Sequence, residues 1–374
     1  MASPLAGRAV GICEERALVL EILEPSRYGE YEAFVSAHKN GGFTQSIHWP
    51  QVKAGWGHRV VVSRNAAGEI VGGMLILTKK VPGLNRHFLY APRGPVFDYG
   101  DEAVFADLVE GVKAVAKLEH GFAFKMDPMV MTGDTAFVEM ARKYGFTYTE
   151  DQTDDDTIQR RSNYMLPLAG RTKEELLASF HQKWRYNIRL AGRKGVVCKV
   201  GTKADLPDFM KVYQVTGQRD GFNTRPMSYF ERMLDALGEQ VRLYLCYYEG
   251  QPISGAITTN YAGKTCYVYG ASDNAFRNVM PNHLMQWEMI QWAVDTGCVV
   301  YDFQGIPLDL SGNDHMHGVY LFKKGFNGQV VTFAGEFDLV FTPWVEKFVD
   351  FSEKVQARMR KRRARKKAKQ AKAN

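Results

Sequence analysis

The chain has 374 residues, 45% of them apolar and 24% charged, and this balance excludes a disordered, collagenous or coiled-coil protein. A chain of this length exceeds what one hydrophobic core usually serves, so we expect two domains. The net charge of +7 is unevenly placed, because residues 358–374 hold ten Lys and Arg residues and no acid, which leaves −3 on residues 1–357.

Helix and strand patterns alternate over residues 55–150. The predicted strands are residues 59–63, 70–77 and 122–126, and the predicted helices are residues 103–118 and 136–144. The order is therefore strand, strand, helix, strand, helix. Residues 149–162 follow with four aspartates, and this polar composition predicts an exposed linker.

The second half of the chain repeats this pattern. Its predicted helices are residues 173–191, 206–216 and 282–296, and its predicted strands are residues 242–248, 251–260, 265–270 and 299–303. The first two of these strands are joined at Glu249-Gly250 and predict a hairpin. Two similar halves with antiparallel hairpins are typical of a duplicated acyltransferase-type domain.

The C-terminal region predicts one more strand at residues 335–339 and a helix at residues 344–357. This helix leads into the basic arm, residues 358–374, which either extends the helix or forms a disordered tail. Together these patterns predict an α/β (α+β) fold with mixed, mostly antiparallel sheets.

The common catalytic motifs GxSxG, HExxH and GxxxxGK[ST] are absent from the chain. His315 and His317 stand in a polar loop without an obvious third ligand, so we predict no metal site. A CoA-dependent enzyme needs a glycine-rich turn before a helix, but residues 275–282 contain no glycine and include Pro281. We therefore predict no cofactor.

Three segments carry more aromatic and cationic residues than folding requires. Lys53 lies in the tryptophan-containing segment 43–56, where packing does not account for it. Residues 183–194 contain five cations on a predicted helix, which form either a solvated face or a phosphate-binding face. Residues 301–306 and 318–328 mix aromatics with lysines and glycines after a buried strand, where ligands of α/β sheets usually lie.

These segments and two others resemble the Fem family (FemABX) of aminoacyl-tRNA-dependent peptidoglycan peptidyltransferases. The motifs that carry the resemblance are YAPRGP at 90–95, KMDP at 125–128, RYNIRLA at 185–191, YDF at 301–303 and FKKGF at 322–326. They occur in the family's order over roughly residues 25–345, and no heptad-rich arm follows Leu190, so the chain is similar to the compact, FemX-like members.

The resemblance implies two GNAT-like acyltransferase domains, with a late segment of the chain returning to the first. We expect the first domain at residues 1–160, completed by residues 335–357, and the second at residues 161–334. The basic C-terminal helix or tail at 358–374 is not one of the matched motifs.

The resemblance also implies a reaction. Family members transfer Ala, Ser or Gly from aminoacyl-tRNA to the side-chain amine of the third residue of the peptidoglycan stem peptide, which builds the interpeptide bridge. The acceptor is UDP-MurNAc-pentapeptide or its lipid-linked form. We expect the same partners here, with a monomeric enzyme in the cytoplasm, where five scattered cysteines without a CxxC pair are usual.

The resemblance also implies site residues, one motif at a time. The substrate-binding residues implied by the resemblance are Lys53, Asn223, Arg225, Tyr229 and Tyr269, with Tyr267 as an alternative to Tyr269. Phe322 and Lys323 fall where the family has a Phe-Lys pair in the transfer channel, and Lys324 is the alternative lysine. A fixed cation would stabilise the tetrahedral oxyanion that forms when an amine attacks the aminoacyl ester.

The basic arm is predicted to bind a polyanion. Since an acidic body repels RNA, we expect the arm to recruit the donor tRNA. The predicted tRNA-binding residues are Arg358, Arg360, Lys361, Arg362, Arg363, Arg365, Lys366 and Lys367. Peripheral contact with an anionic membrane is the alternative role of the arm. For the whole protein, the alternative functions are an acyl-CoA-dependent N-acyltransferase and a non-enzymatic RNA-binding protein on a GNAT-like scaffold.

Overall fold

The structure is a computed structural model that describes most of the chain. The described residues are 18–154, 156–312, 314, 316–349 and 351–352. They form two mixed, mostly antiparallel sheets of eight and seven strands with helices around them. This confirms the predicted α+β architecture, whereas the basic arm lies outside the described residues.

The first sheet combines strands from the N-terminal half with one strand from near the C-terminus. Its strands are β1 (Val19–Ile22), β2 (Gly57–Arg64), β3 (Ile70–Lys80), β4 (His87–Ala91), β5 (Val96–Phe97), β6 (Gly121–Met126), β7 (Thr147–Tyr148) and β15 (Phe337–Val340). The helices of this half are α1 (Tyr28–Ala37), α2 (Trp49–Val52), α3 (Glu102–Leu118) and α4 (Thr135–Lys143). The strand order is β1-β2-β3-β4-β6-β15-β7, with β5 paired to β3.

The second sheet is formed by the later part of the chain. Its strands are β8 (Ser162–Pro167), β9 (Val197–Gly201), β10 (Val241–Tyr248), β11 (Gln251–Tyr261), β12 (Lys264–Ser272), β13 (Val300–Gly305) and β14 (Gln329–Thr332). The helices here are α5 (Lys173–Ser179), α6 (Gln182–Arg193), α7 (Leu206–Asp220), α8 (Met227–Leu237), α9 (Pro281–Asp295) and α10 (His317–Lys324). The strand order is β14-β8-β13-β12-β11-β10-β9.

The two sheets share one pattern of strand pairing. In the first sheet, β2, β3 and β4 form an antiparallel meander, and β6, which follows α3, pairs parallel to β4. In the second sheet, β10, β11 and β12 form the meander, and β13, which follows α9, pairs parallel to β12. The repeat that the sequence pattern predicts is therefore present in the strand pairing.

Local sequence signals explain where several elements begin and turn. The Asp101 side chain accepts a hydrogen bond from the backbone N–H of Val104 and so caps the start of α3. One face of α3 is apolar and packs against the first sheet. The hairpin between β10 and β11 turns at Glu249 and Gly250, whose φ values of 50° and 76° are typical of a tight two-residue turn.

The two halves of the molecule are joined by a returning strand and by an apolar interface. β15 pairs antiparallel with β6 and with β7, so a late segment of the chain lies in the first sheet. Trp49 and Val52 of α2 belong to the same buried cluster as Phe230 and Met233 of α8. This packing sets the position of α2 relative to α8.

The prediction of one helix over residues 173–191 is wrong. The chain instead forms α5 and α6, which are separated by Phe180 and His181 in extended conformations. The Phe180 ring is fully buried and packs edge-on against Trp287 and Phe326. Helical periodicity does not reveal the break between α5 and α6, because the break arises from contacts with residues far along the chain.

The prediction of an exposed linker at residues 149–162 is also wrong in its last part. The Arg161 side chain is buried and donates hydrogen bonds to backbone carbonyl groups, including those of Gln152 and Phe333. The last residue of the segment begins β8. An arginine is the same residue in the sequence whether its guanidinium is solvated or buried against carbonyl oxygens. The polar composition of the segment therefore does not predict the burial of Arg161.

Several elements have no counterpart among the predictions. They are β1, α1, α2, β4, β5, β7, β8, β9, α8, α10 and β14. Near the C-terminus, residues 343–349 and 351–352 are helical, in agreement with the start of the predicted helix 344–357. The remainder of that helix lies outside the described residues.

Candidate active site

Lys323 lies on α10 with its ammonium group directed into the protein. The residue is 4% exposed, and its Nζ donates hydrogen bonds of 3.0 and 2.7 Å to the carbonyl oxygens of Gln304 and Gly305. These two residues end β13. Lys324 is exposed and lies over the Tyr320 ring, with Nζ 5.7 Å from its centroid. The two lysines therefore face different environments, and Lys323 is the enclosed one.

The surroundings of Lys323 control its charge. Burial lowers the pKa of Lys323 to about 7, although the Asp302 carboxylate acts to raise this pKa. Asp302 is itself buried and accepts hydrogen bonds from the Asn163 amide at 2.9 Å and from the Gln304 backbone at 2.7 Å. Gln304 has a φ of 61°, in the left-handed region, so its backbone is held in an uncommon conformation next to Lys323.

Phe322 packs in a group of rings next to Lys323. Its ring lies 5.1 Å from that of His283 and 6.4 Å from that of Trp184. The Trp184 Nε1–H donates to the Phe322 carbonyl at 3.0 Å. Gly325 permits this contact, because a Cβ atom there would lie 2.1 Å from the indole. The FKKGF motif thus places an aromatic wall beside a buried cation.

The structure brings Lys53 and Arg225 together from the two halves. Lys53 ends α2 and stacks over Trp49, with Nζ 4.9 Å from the ring centroid. Burial and, as the second cause, the charge of Arg225 together lower the pKa of Lys53 to about 8. Arg225 stacks over Tyr229 at 5.3 Å. Two cations held close together on aromatic rings suit a polyanion such as a diphosphate.

Tyr229 and Tyr269 complete this cluster. The Tyr269 hydroxyl donates a 3.0 Å hydrogen bond to the Tyr229 hydroxyl, and burial raises the pKa of Tyr229. Asn223 is exposed in the coil before α8. Tyr267 packs instead against a different buried cluster, beneath the second sheet. Of the two tyrosines, Tyr269 is therefore the one that lies beside Tyr229.

A cavity of about 340 Å³ lies between the halves, where a cleft lined by Lys53, Arg225, Tyr229 and Tyr269 is predicted, but none of these four residues is among those that line it. Its lining includes the polar residues Arg93, Gln159, Lys264, Asp302 and Gln304, together with Met129, Met131, Met165 and Phe333. Two of these polar residues are the Asp302–Gln304 pair that surrounds Lys323. The cavity therefore adjoins the backbone that holds the buried lysine.

Asp127 supports the wall of this cavity from the first half. Its carboxylate accepts hydrogen bonds from the Arg93 backbone at 2.6 Å, from Gln159 at 2.9 Å and from the Tyr90 hydroxyl at 3.0 Å. Burial raises the pKa of Asp127 to about 6. The YAPRGP and KMDP motifs meet at this point. Their spacing in the sequence predicted neither the contact nor the left-handed φ of 53° at Arg93.

The five cations of residues 183–194 lie on α6 and the residue after it. Lys183, Arg189, Arg193 and Lys194 are exposed, whereas Arg185 is half-buried and donates to the Ala178 carbonyl. The same helix carries Trp184, which contacts Phe322. A basic surface therefore leads to the aromatic side of the Lys323 site.

The described part of the chain includes one of the two loop histidines and the turn that leads into α9. No cluster of three or more His, Cys, Asp or Glu residues there could hold a metal ion. His317 begins α10, and His315 lies outside the described residues. Pro281 occupies the first turn of α9, where it removes one of the backbone N–H groups that would bind a pyrophosphate.

Comparison with known proteins identifies the family. The FemAB family model matches residues 26–251 and 246–354. The chain is 30% identical to a lipid II:glycine glycyltransferase of Staphylococcus aureus (strain USA300), over 83% of this chain and 91% of that protein. It is also 30% identical to the protein of the same name from Staphylococcus epidermidis, over 89% of this chain and 95% of that protein.

Solved structures agree with this match. The crystal structure of FemX superposes with a TM-score of 0.80 at 28% identity, over 88% of this chain and 99% of that chain. A tandem GNAT protein from the clavulanic acid biosynthesis pathway superposes with a TM-score of 0.52 at 8% identity, over 87% of this chain and 98% of that chain. The second likeness concerns the fold alone, and it confirms the predicted GNAT-like architecture.

The chain belongs to the FemAB family. It is an aminoacyltransferase that uses aminoacyl-tRNA to add amino acids to a peptidoglycan precursor, so the predicted family and enzyme class are confirmed. Membership of this family excludes both alternative functions, the CoA-dependent N-acyltransferase and the non-enzymatic RNA-binding protein. In the described residues, no helix combines the length and the apolar character needed to cross a membrane.

Proposed function

We propose that this enzyme transfers glycine, alanine or serine from aminoacyl-tRNA to the side-chain amine of the third residue of the stem peptide. The observation that carries the proposal is the enclosed Lys323, which lies beside Phe322 in the motif that the family places in the transfer channel. The relatives named lipid II:glycine glycyltransferase favour glycine as the donor and a lipid-linked acceptor. UDP-MurNAc-pentapeptide is the soluble alternative.

The proposed chemistry is aminolysis of an ester. The acceptor amine forms a bond to the aminoacyl carbonyl carbon, and the ester C–O bond to the tRNA ribose breaks. The amine proton goes to the departing ribose oxygen, so no separate base on the enzyme is needed. Protonated Lys323 stabilises the oxyanion of the tetrahedral intermediate, and a fixed donor of this kind typically contributes about 10²–10³ in rate.

The acceptor is proposed to bind at the Lys53–Arg225 cluster. Arg225 offers paired donors to the diphosphate and Lys53 offers a compact charge, since both side chains are held over aromatic rings. Tyr229 and Tyr269 lie alongside. The donor tRNA is proposed to approach over α6, whose exposed cations contact phosphates and whose Trp184 reaches Phe322.

Transfer of radiolabelled amino acid tests the proposal. Glycyl-, alanyl- and seryl-tRNA are each supplied with UDP-MurNAc-pentapeptide or with its lipid-linked form, and the labelled acceptor is isolated. We expect label on the third stem residue with at least one pair. Labelled product on another residue, or none with any pair, would overturn the proposal.

A further inference from the structure

The described C-terminal helix, residues 343–349 and 351–352, has one face that is packed on the first sheet. Val345 is fully buried, and it forms a small cluster with Phe122 and with Val349 of the same helix. The backbone N–H groups of Phe341 and Thr342 both donate to the Phe122 carbonyl at 2.9 Å. The helix is therefore anchored at the start of β6.

A second face of this helix carries a row of uncovered aromatic rings. Trp344 is 64% exposed, Phe348 53% and Phe351 67%. Their spacing of four and then three residues places them on one side of a helix. Scattered apolar residues on a surface are ordinary, but three large rings in one row form a patch of the kind that marks an interaction surface. We call these three residues the aromatic row.

The chain after the aromatic row is strongly cationic. Residues 343–352 carry two acids and one lysine, whereas residues 358–374 carry ten Lys and Arg residues and no acid. An apolar row containing Trp and Phe supplies insertion into the headgroup region, and an adjacent cluster of cations supplies attraction to anionic lipid. We propose that the aromatic row and the basic arm together dock the enzyme on an anionic membrane surface.

The position of the row is compatible with activity on that surface. The helix packs at the first residues of β6, whereas Asp127 and the cavity follow the last residue of the same strand. Six residues of strand separate these ends by about 17–20 Å. The anchor of the row and the cavity therefore lie at opposite ends of β6.

The observations favour a membrane over tRNA as the partner of the arm. Phosphate contact requires cations but no exposed apolar row, and α6 already supplies exposed cations beside the Lys323 site. The aromatic row has a role on a bilayer and none in binding the phosphates of a folded RNA. This inference goes beyond the proposed reaction, and vesicle binding is measured without any substrate.

Co-sedimentation of the full-length protein with vesicles tests the role of the row. The vesicles contain equal parts phosphatidylglycerol and phosphatidylcholine, and pure phosphatidylcholine is the neutral comparison. We expect binding to the anionic vesicles only. The W344S/F348S/F351S variant should lose at least about tenfold in partition coefficient. The matched control is V197S/V200S on β9, which removes apolar side chains that are 60% and 51% exposed and should bind as wild type.

A second variant tests the arm. R362Q/R363Q/R365Q/K366Q/K367Q keeps the chain length and should lower the partition coefficient at least about hundredfold, because each cation near an anionic surface contributes several-fold. Three results would overturn the proposal. The first is vesicle binding that is unchanged in the aromatic variant. The second is a wild-type dimer that becomes a monomer in the aromatic variant. The third is an arm variant that has a raised KM for aminoacyl-tRNA but binds vesicles as wild type does.

Discussion

The ammonium group of Lys323 donates a 2.7 Å hydrogen bond to the carbonyl oxygen of Gly305, at the end of β13. A second carbonyl, that of Gln304, accepts from the same nitrogen at 3.0 Å. The position of the cation is thus fixed by backbone atoms, which do not move with a side-chain rotamer. A charge that is fixed before the reaction begins stabilises an oxyanion without reorganisation.

Replacing Lys323 by Met should lower kcat by about 10²–10³-fold with little change in the KM for the acceptor, because an oxyanion contact matters mainly in the transition state. Steady-state transfer assays with varied acceptor measure both constants. Lys324→Met is the matched control, since Lys324 is adjacent but exposed, and it should keep the wild-type kcat. A raised KM with an unchanged kcat in the Lys323 variant would make Lys323 a binding residue instead.

The contribution of Lys323 should depend on pH. Its pKa is lowered to about 7, and only the protonated form carries a positive charge and a third N–H beyond the two that bind carbonyl oxygens, so the ratio of wild-type to K323M kcat should fall as pH rises through about 7. Asp302 raises this pKa, so Asp302→Asn should move the decline to lower pH. Asp309→Asn removes an exposed carboxylate nearby in the chain and should leave the profile in place. A pH-independent ratio would contradict the role of the charge.

Arg225→Ala and Lys53→Ala should each raise the KM for UDP-MurNAc-pentapeptide at least about tenfold while kcat changes little, because the proposed phosphate contact of each side chain would be made throughout the reaction. Arg225→Lys should recover only part of the affinity, since a lysine cannot provide paired donors. Lys79→Ala is the control, because Lys79 also stacks on a tryptophan, Trp56, at 5.5 Å. Equal effects of Lys79→Ala and Lys53→Ala would exclude a specific site.

Tyr229→Phe and Tyr269→Phe should each lower the free energy of unfolding by about 0.5–1.5 kcal/mol, because each removes one partner of a hydrogen bond between largely buried hydroxyl groups. Urea denaturation measures the change. In the double variant the loss should be smaller than the sum of the two, since both single changes remove the same bond. Strict additivity would show that the hydroxyl groups do not interact in solution.

Much of the architecture could be predicted from periodicity alone. The strands β2 and β3, the strands of the second meander and the helix α3 are local patterns, since their apolar residues recur at the spacing of the element that they form. The hairpin at Glu249 and Gly250 was predicted for the same reason. The missed elements are short or carry polar faces, and the break at Phe180 depends on the distant rings of Trp287 and Phe326.

The candidate site could be predicted only through motifs. The pairing of Lys53 with Arg225 joins residues from different halves, and no local pattern connects them. The burial of Lys323 and the exposure of Lys324 depend on which side of α10 faces the end of β13. The network of Asp127, Arg93 and Gln159 was not predicted, because its members are far apart in the sequence and make contact only in the folded chain.

The placement of β15 between β6 and β7 has a consequence for synthesis on the ribosome. Translation produces β6 early, but its partner at residues 337–340 emerges only after every strand of the second sheet. The first half therefore begins to fold first and is completed last. A polypeptide halted anywhere in the second half exposes the open edge of β6, which can pair with another chain and aggregate. Premature termination should thus yield insoluble fragments, even when all of the first 160 residues have been made.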